Sequence, residues 1–213
     1  GYDLSKLICG SFGTLVALTE ITLKVLPEPQ ESTTLVIHNQ NIESACFLLD
    51  SAISSSNDIS GATYFPTKVE DSNYAMDIEK TFQLNDLKHD GSITAIRIEG
   101  FKKSTEQRLK NLANELKVSN LNVSILSMHQ SEIFWNKIKN LECFHFSKNS
   151  IIRIVVPPSE CVQLIYEFSN RFTYFLDWGG AVIWMEAYQI SEESFESIRK
   201  KVVKHGGYVT MIK

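Results

Sequence analysis

The sequence lacks any apolar run of the roughly 18–20 residues that a membrane-spanning helix needs. Its longest apolar stretches, Leu15–Leu26 and Ile151–Val156, are either broken by Thr, Glu and Lys or too short. It also lacks a basic block. Lys and Arg total 21 against 25 Asp and Glu, a formal net charge of −4, so there is no electrostatic footprint for nucleic acid. Cysteine is sparse: Cys9, Cys46, Cys143 and Cys161 are scattered, with no C-x-x-C pair. That argues against a disulfide framework and for mostly buried thiols in a reducing compartment. His38, His89, His129, His145 and His205 show neither H-x-H nor H-E-x-x-H spacing. Cys143-Phe144-His145 comes nearest to a ligand pair and finds no two further ligands, so no metal site is expected. No iron–sulfur ligand pattern and no Ser-His-Asp or Cys-His spacing is present. The first residue is Gly and no signal-peptide pattern follows it, so either something has been removed or the chain is a piece of a longer one.

What is present is globular. The 213 residues are 43% hydrophobic and 22% charged, enough for one large domain or two small ones. Asp3–Cys9 has a helical pattern and ends in the loop Gly10-Ser11-Phe12-Gly13. Thr14–Leu26 alternates as a strand does, and Pro27-Glu28-Pro29 marks a domain boundary, since paired prolines force extended backbone and remove donors. Beyond it Thr33–Ile37 reads as a strand, Asn41–Ser55 as a helix capped by Asn41, and Gly61–Phe65 as a strand. Pro66–Gly91 is polar and mixed, an insertion with one helical turn. Ser92–Glu99 (strand), Ser104–Leu116 (helix) and Asn122–Ser127 (strand) complete a βαββαβ order. A linking helix at Ser131–Lys139 and a loop at Asn140–Asn149 follow. The order then returns: Ile151–Val156 (strand), Ser159–Arg171 (helix), Thr173–Trp178 and Ala181–Ala187 (strands joined at Gly179-Gly180), Ser191–Lys204 (helix) and Tyr208–Ile212 (strand). The expected fold is α+β, an antiparallel sheet from two ferredoxin-like βαββαβ repeats at about 32–127 and 150–213, with helices on one face.

The first 27 residues carry the most specific signal. Gly1-Tyr2-Asp3-Leu4, Gly10-Ser11-Phe12-Gly13-Thr14-Leu15, Thr19-Glu20 and Leu23-Lys24 through Pro27 follow the pattern G-x-D-L-x-x-L-x-x-G-S-x-G-T-L-G-x-x-T-E-x-x-L-K-x-x-P. This resembles the end of the FAD-binding domain of the flavin oxidases related to vanillyl-alcohol oxidase, the FAD-linked, PCMH-type oxidases. With Asp177-Trp178-Gly179-Gly180-Ala181 and Gly206-Gly207 downstream, it is most similar to the glycolate-oxidising members. The resemblance implies that residues 1–27 are a remnant of the FAD domain and residues 28–213 the substrate-side cap domain. It implies FAD as cofactor and Gly10, Ser11, Gly13, Thr14, Val16 and Ala17 as the flavin-contacting positions. It also implies a second FAD-binding subunit and an iron–sulfur subunit as partners, and a cytoplasmic location, peripheral to the inner face of the membrane.

The residues themselves leave alternatives open. Glycines in the 10–14 loop permit positive φ and close approach of backbone amides to a ligand, or make a plain helix-to-strand turn. The family pattern has Gly where this chain has Val16, and a β-branched side chain there would crowd a flavin. The Gly-rich loop with which the family cradles the pyrophosphate is absent from the sequence. Arg97 and Arg153 each lie opposite their flanking isoleucines. Over a flavin, such an arginine would hold a substrate carboxylate by its two-pronged fork; otherwise each pairs with Glu99, Glu186 or Asp177. Phe172, Tyr174, Phe175, Trp178, Trp184 and Tyr188 form a sheet core or line a cofactor. No catalytic residue stands out. Two functions follow: part of a FAD-dependent oxidoreductase acting on a small 2-hydroxy acid such as glycolate, or a non-catalytic cap module that docks to partner subunits without binding FAD.

Overall fold

Short apolar runs mark the inner strands here, because the middle of a wide sheet buries both faces: Leu35, Val36 and Ile37 are buried in succession. The computed structural model describes residues 3–25, 27–66, 78–84, 87, 91–144, 149–168 and 172–212. Among these residues, eight strands form one antiparallel sheet: β1 (Glu31–His38), β2 (Ile59–Phe65), β3 (Ile93–Gly100), β4 (Val123–Leu126), β5 (Asn149–Val155), β6 (Thr173–Asp177), β7 (Val182–Tyr188) and β8 (Tyr208–Met211). Their order is β4-β1-β3-β2-β6-β7-β5-β8. The first four strands stand in the order of a ferredoxin-like unit, and the last four repeat that order in reverse. The halves meet where β2 pairs with β6, through Thr63 opposite Asp177 and Tyr64 opposite Leu176.

The helices of the two units share one face. They are α2 (Ile42–Ile53), α4 (Lys102–Glu115), α6 (Pro158–Phe168) and α7 (Glu192–Lys204). Asn41 caps α2 by accepting a hydrogen bond from the Ser44 amide at 2.8 Å, and Ser191 caps α7 by accepting from Ser194 at 3.2 Å; side-chain caps satisfy amides that a helix start leaves unpaired. Leu49, Leu112, Cys161, Leu164 and Val202 from these helices pack on Leu35, Ile96, Ile152, Ile154 and Ile183 of the sheet.

The opposite face is not bare, which corrects the expectation of helices on one side only. The linking helix α5 (Met128–Lys139) and the short α3 (Ile78–Phe82) cover part of it. There Phe82 and Phe134 meet at 4.4 Å between ring centroids, and Phe65 stacks on Phe175 at 5.0 Å. Helix α3 is the helical turn expected within the insertion, most of which lies outside the described residues.

A second correction concerns residues 14–25. The short helix α1 (Leu4–Ile8) forms, with Asp3 accepting from the Lys6 amide at 3.2 Å, but no strand follows it. Leu15, Leu18, Ile21, Leu23 and Val25 are all exposed. Alternation alone does not make a strand; the ladder needs a neighbouring edge, and this segment has none among the described residues.

Candidate functional site

The helix-poor face of the sheet carries a row of aromatic rings that ends on a guanidinium. Phe65 stacks on Phe175, Phe175 lies parallel to Trp184 at 6.4 Å, and Arg153 caps the Trp184 ring at 5.8 Å. The register produces this row, since Phe175 on β6 faces Trp184 on β7, and Trp184 faces Arg153 on β5. Period-two alternation sends Ile152 and Ile154 to the four-helix face and Arg153 to the other. Among the described residues Arg153 makes no hydrogen bond or ion pair, and it is half-buried. Its fork therefore keeps donors for a ligand.

Asp177 lies beside this row, at the β2–β6 junction. Its carboxylate accepts a hydrogen bond from the Trp178 amide at 2.9 Å. Burial pushes its pKa above the ordinary carboxylate range, and the Trp178 hydrogen bond, the Trp184 side chain and the positive charges of Arg153 and Arg97 pull the other way. A carboxylate placed so can accept a hydrogen bond from a hydroxyl next to an acid held on Arg153. Asp177 entered the sequence reading only as an ion-pair partner; its signal is its place at the end of a strand just before a glycine turn.

Arg97 is on the same face but is already engaged. Its Nε donates to Ser60 Oγ at 3.1 Å, its terminal nitrogen to Ser60 O at 3.0 Å, and it pairs with Glu99 at 3.2 Å. The guanidinium also lies 4.9 Å over the Trp135 ring. Burial lowers its pKa, and Glu99 and Asp177 oppose that. The pair with Glu99 is one of the partners the sequence offered for Arg97. The aromatic group splits: Phe175 is in the core, Trp184 borders it, Phe172 and Tyr174 pack on the four-helix face, and Trp178 is exposed. The Tyr188 side chain lies outside the described residues.

The flavin-contacting candidates are placed elsewhere. Gly10 and Gly13 have φ of +82° and +72°, and a methyl built on either would meet nothing within 4 Å. Ser11 N donates to Ile8 O at 3.1 Å, and Thr14 N and Oγ1 both donate to Ser11 O, at 3.0 and 2.6 Å. The turn thus consumes its own donors at residues 11 and 14. Val16 and Ala17 are exposed. Among the described residues every hydrogen bond and ion pair of residues 3–25 stays within that segment. No such contact joins these residues to Arg153.

The cysteines are all free, with Cys143 and Cys161 buried, Cys46 half-buried and Cys9 exposed. No group of three metal-ligating side chains converges among the described residues; His89 and His145 lie outside them. No helix among the described residues is long and apolar enough to cross a membrane.

No family model matches the chain. In sequence it is 60% identical over 35 residues to the glycolate oxidase subunit GlcE of Escherichia coli, covering 16% of this chain and 10% of that protein. It is 49% identical over 43 residues to a D-lactate dehydrogenase of Anaerostipes hadrus, covering 20% and 9%. It is 37% identical over 70 residues to the glycolate oxidase subunit GlcD of Bacillus subtilis, covering 33% and 13%. The matched stretches therefore span about a tenth of each relative. In structure, an alkyldihydroxyacetonephosphate synthase superposes with a TM-score of 0.64 at 14% identity, over 97% of this chain and 44% of the other. A 4-ethylphenol oxidase from Gulosibacter chungangensis superposes at 0.51 and 11% identity, over 86% and 45%. The short sequence matches are thus to glycolate oxidase subunits and a D-lactate dehydrogenase, and the fold is shared with the alkyldihydroxyacetonephosphate synthase and the 4-ethylphenol oxidase.

Proposed function

We propose that this chain is the substrate-side portion of a FAD-dependent oxidoreductase that oxidises a small 2-hydroxy acid such as glycolate. Its sheet face receives the acid: Arg153 holds the carboxylate and Asp177 accepts from the 2-hydroxyl. The observation that carries the reading is Arg153, a half-buried guanidinium on an aromatic floor with no ion pair or hydrogen bond among the described residues. A half-buried cation without an ion pair or hydrogen bond is unusual, because desolvation costs are normally offset by pairing. The matches to glycolate oxidase subunits and to a D-lactate dehydrogenase support a 2-hydroxy acid as the substrate class. The names GlcE and GlcD, each a subunit, support an assembly with a further subunit; an iron–sulfur subunit and a location on the cytoplasmic side of the membrane are part of the same proposal.

On this reading the flavin supplies the redox chemistry. The described part of this chain supplies binding and orientation, not the flavin cradle. The test is steady-state glycolate oxidation by the flavin-loaded protein that contains this chain. Arg153→Lys replaces a fork by a point charge. It is expected to raise KM about tenfold, since a charge-assisted hydrogen bond is worth about 1.5 kcal/mol or more, with kcat less affected. An unchanged KM overturns the substrate role.

A second reading has its own observation. Leu15, Ile21, Leu23 and Val25 are exposed apolar residues in an unpaired segment, as expected of a module that docks to a partner without flavin. Calorimetric titration of the chain with glycolate separates the two. Saturable binding that Arg153→Lys weakens contradicts the docking reading.

A further inference from the structure

We propose that Cys46 and Cys161 form a redox-active dithiol that closes to a disulfide across the junction of the two sheet halves. Cys46 is on α2 of the first half and Cys161 on α6 of the second. Both thiols are free, and each shifts the other's pKa, Cys46 downward and Cys161 upward. Both border one small space above Gly180. A methyl built on that glycine would lie 3.1 Å from Cys161 Sγ and 3.8 Å from Cys46 Sγ. Gly180 has φ +92°, a conformation that favours glycine, so the turn and the room for the sulfurs share one cause. Thiols that border one such space need side-chain rotation and approach to reach the S–S bond length of about 2.05 Å.

The place in the fold gives the bond a consequence. Among the described residues the halves are joined in the sheet by two register pairs, Thr63 with Asp177 and Tyr64 with Leu176. A disulfide between α2 and α6 fastens the same junction from the helix side. It also closes a long loop of chain, the kind of cross-link that restricts the unfolded state most.

The environments assign the order of attack. Cys46 is half-buried, and Cys161 holds its thiol below the ordinary range. Cys161 is buried, and Cys46 and that burial push its thiol up. The thiolate is the nucleophile, so Cys46 attacks first. Its Sγ bonds to one sulfur of a small-molecule disulfide and expels the other as a thiolate, which takes up a proton from water. Cys161 then gives its proton to solvent and attacks Cys46 Sγ. The protein disulfide forms and the second small thiolate leaves and is protonated. Two protein thiols lose two electrons in all, and one small disulfide becomes two thiols.

The experiment incubates the folded Cys9→Ser chain with oxidised glutathione, quenches with acid and maps peptides by mass. The expected result is loss of two thiols, a linked Cys46–Cys161 peptide pair and Cys143 still reduced. In Cys161→Ser, glutathione stays on Cys46 as a mixed disulfide. In Cys46→Ser, Cys161 stays unmodified. The oxidised chain melts at a higher temperature than the reduced one. Glutathione retained on Cys46 while Cys161 is intact overturns the proposal. So does a folded chain in which neither thiol reacts, or an oxidised form that melts lower.

Discussion

Trp135 leaves its neighbour on β2 no choice of side chain. Its ring lies over Gly61, and a methyl built there would fall 2.8 Å from the ring edge. The ring cannot easily move. Its Nε1 donates to Thr34 Oγ1 at 2.9 Å, Thr34 is bonded to Ser131 at 2.7 Å, and Arg97 covers the ring. Gly61→Ala is therefore expected to destabilise the fold by about 1–3 kcal/mol, the usual cost of overpacking, as read from denaturant unfolding. A midpoint equal to that of the parent contradicts this contact. In the sequence Gly61 is only the start of a strand, because the ring that needs the space lies 74 positions away and nothing local encodes it. Arg97 and Arg153 illustrate the same limit. Alternation with isoleucines gives both the same face, but only the three-dimensional neighbours, Ser60 and Glu99 for one and Trp184 for the other, separate the tied guanidinium from the untied one.

Helix α7 is tied to α6 by an imidazole between two carboxylates. His205, at the end of α7, places Nδ1 2.7 Å from Glu160 and Nε2 3.1 Å from Glu167, both on α6. Glu160, then Glu167, raises the His205 pKa above the ordinary histidine value. Its contribution is whole below the unfolded value of about 6.5 and is lost as pH rises through the higher folded value. Glu167 behaves oppositely. His205, then Lys204, holds its pKa below the ordinary carboxylate range, so its contribution is present above the unfolded value and fades as pH falls through the lower folded one. The clamp is thus complete between those two limits. The parent protein should lose thermal stability as pH rises through and beyond the neutral range, and His205→Gln should lose this part of the slope. Parallel melting curves over that range contradict the clamp. The helices and strands themselves were legible, because period 2 and period 3.6 differ clearly in segments such as Ile151–Val155 and Ile42–Ile53. The side of the sheet taken by α5 was not legible. A helical stripe shows that Phe134, Trp135 and Ile138 are buried, not which sheet face buries them.

At the scale of the molecule, two ferredoxin-like units share one sheet, and the N-terminal segment stands outside it. The unit order was legible because βαββαβ occurs twice. The fate of residues 14–25 was not, since their alternation is real but their strand partners are not among the described residues. We expect backbone amides of Ile21–Val25 to exchange hydrogen far faster than those of Ile151–Val155, whose ladder is paired on both sides. Equal protection in the monomeric chain contradicts a boundary at Pro27-Glu28-Pro29. The central claim is narrower: the aromatic-floored face of the sheet takes a small 2-hydroxy acid through Arg153. The most direct measurement is the Arg153 Nε–H resonance as glycolate is added to the chain, with uncharged ethylene glycol as control. The account predicts a saturable shift of that resonance with glycolate and none with ethylene glycol. An Arg153 resonance that does not move, or that moves equally with both, contradicts it.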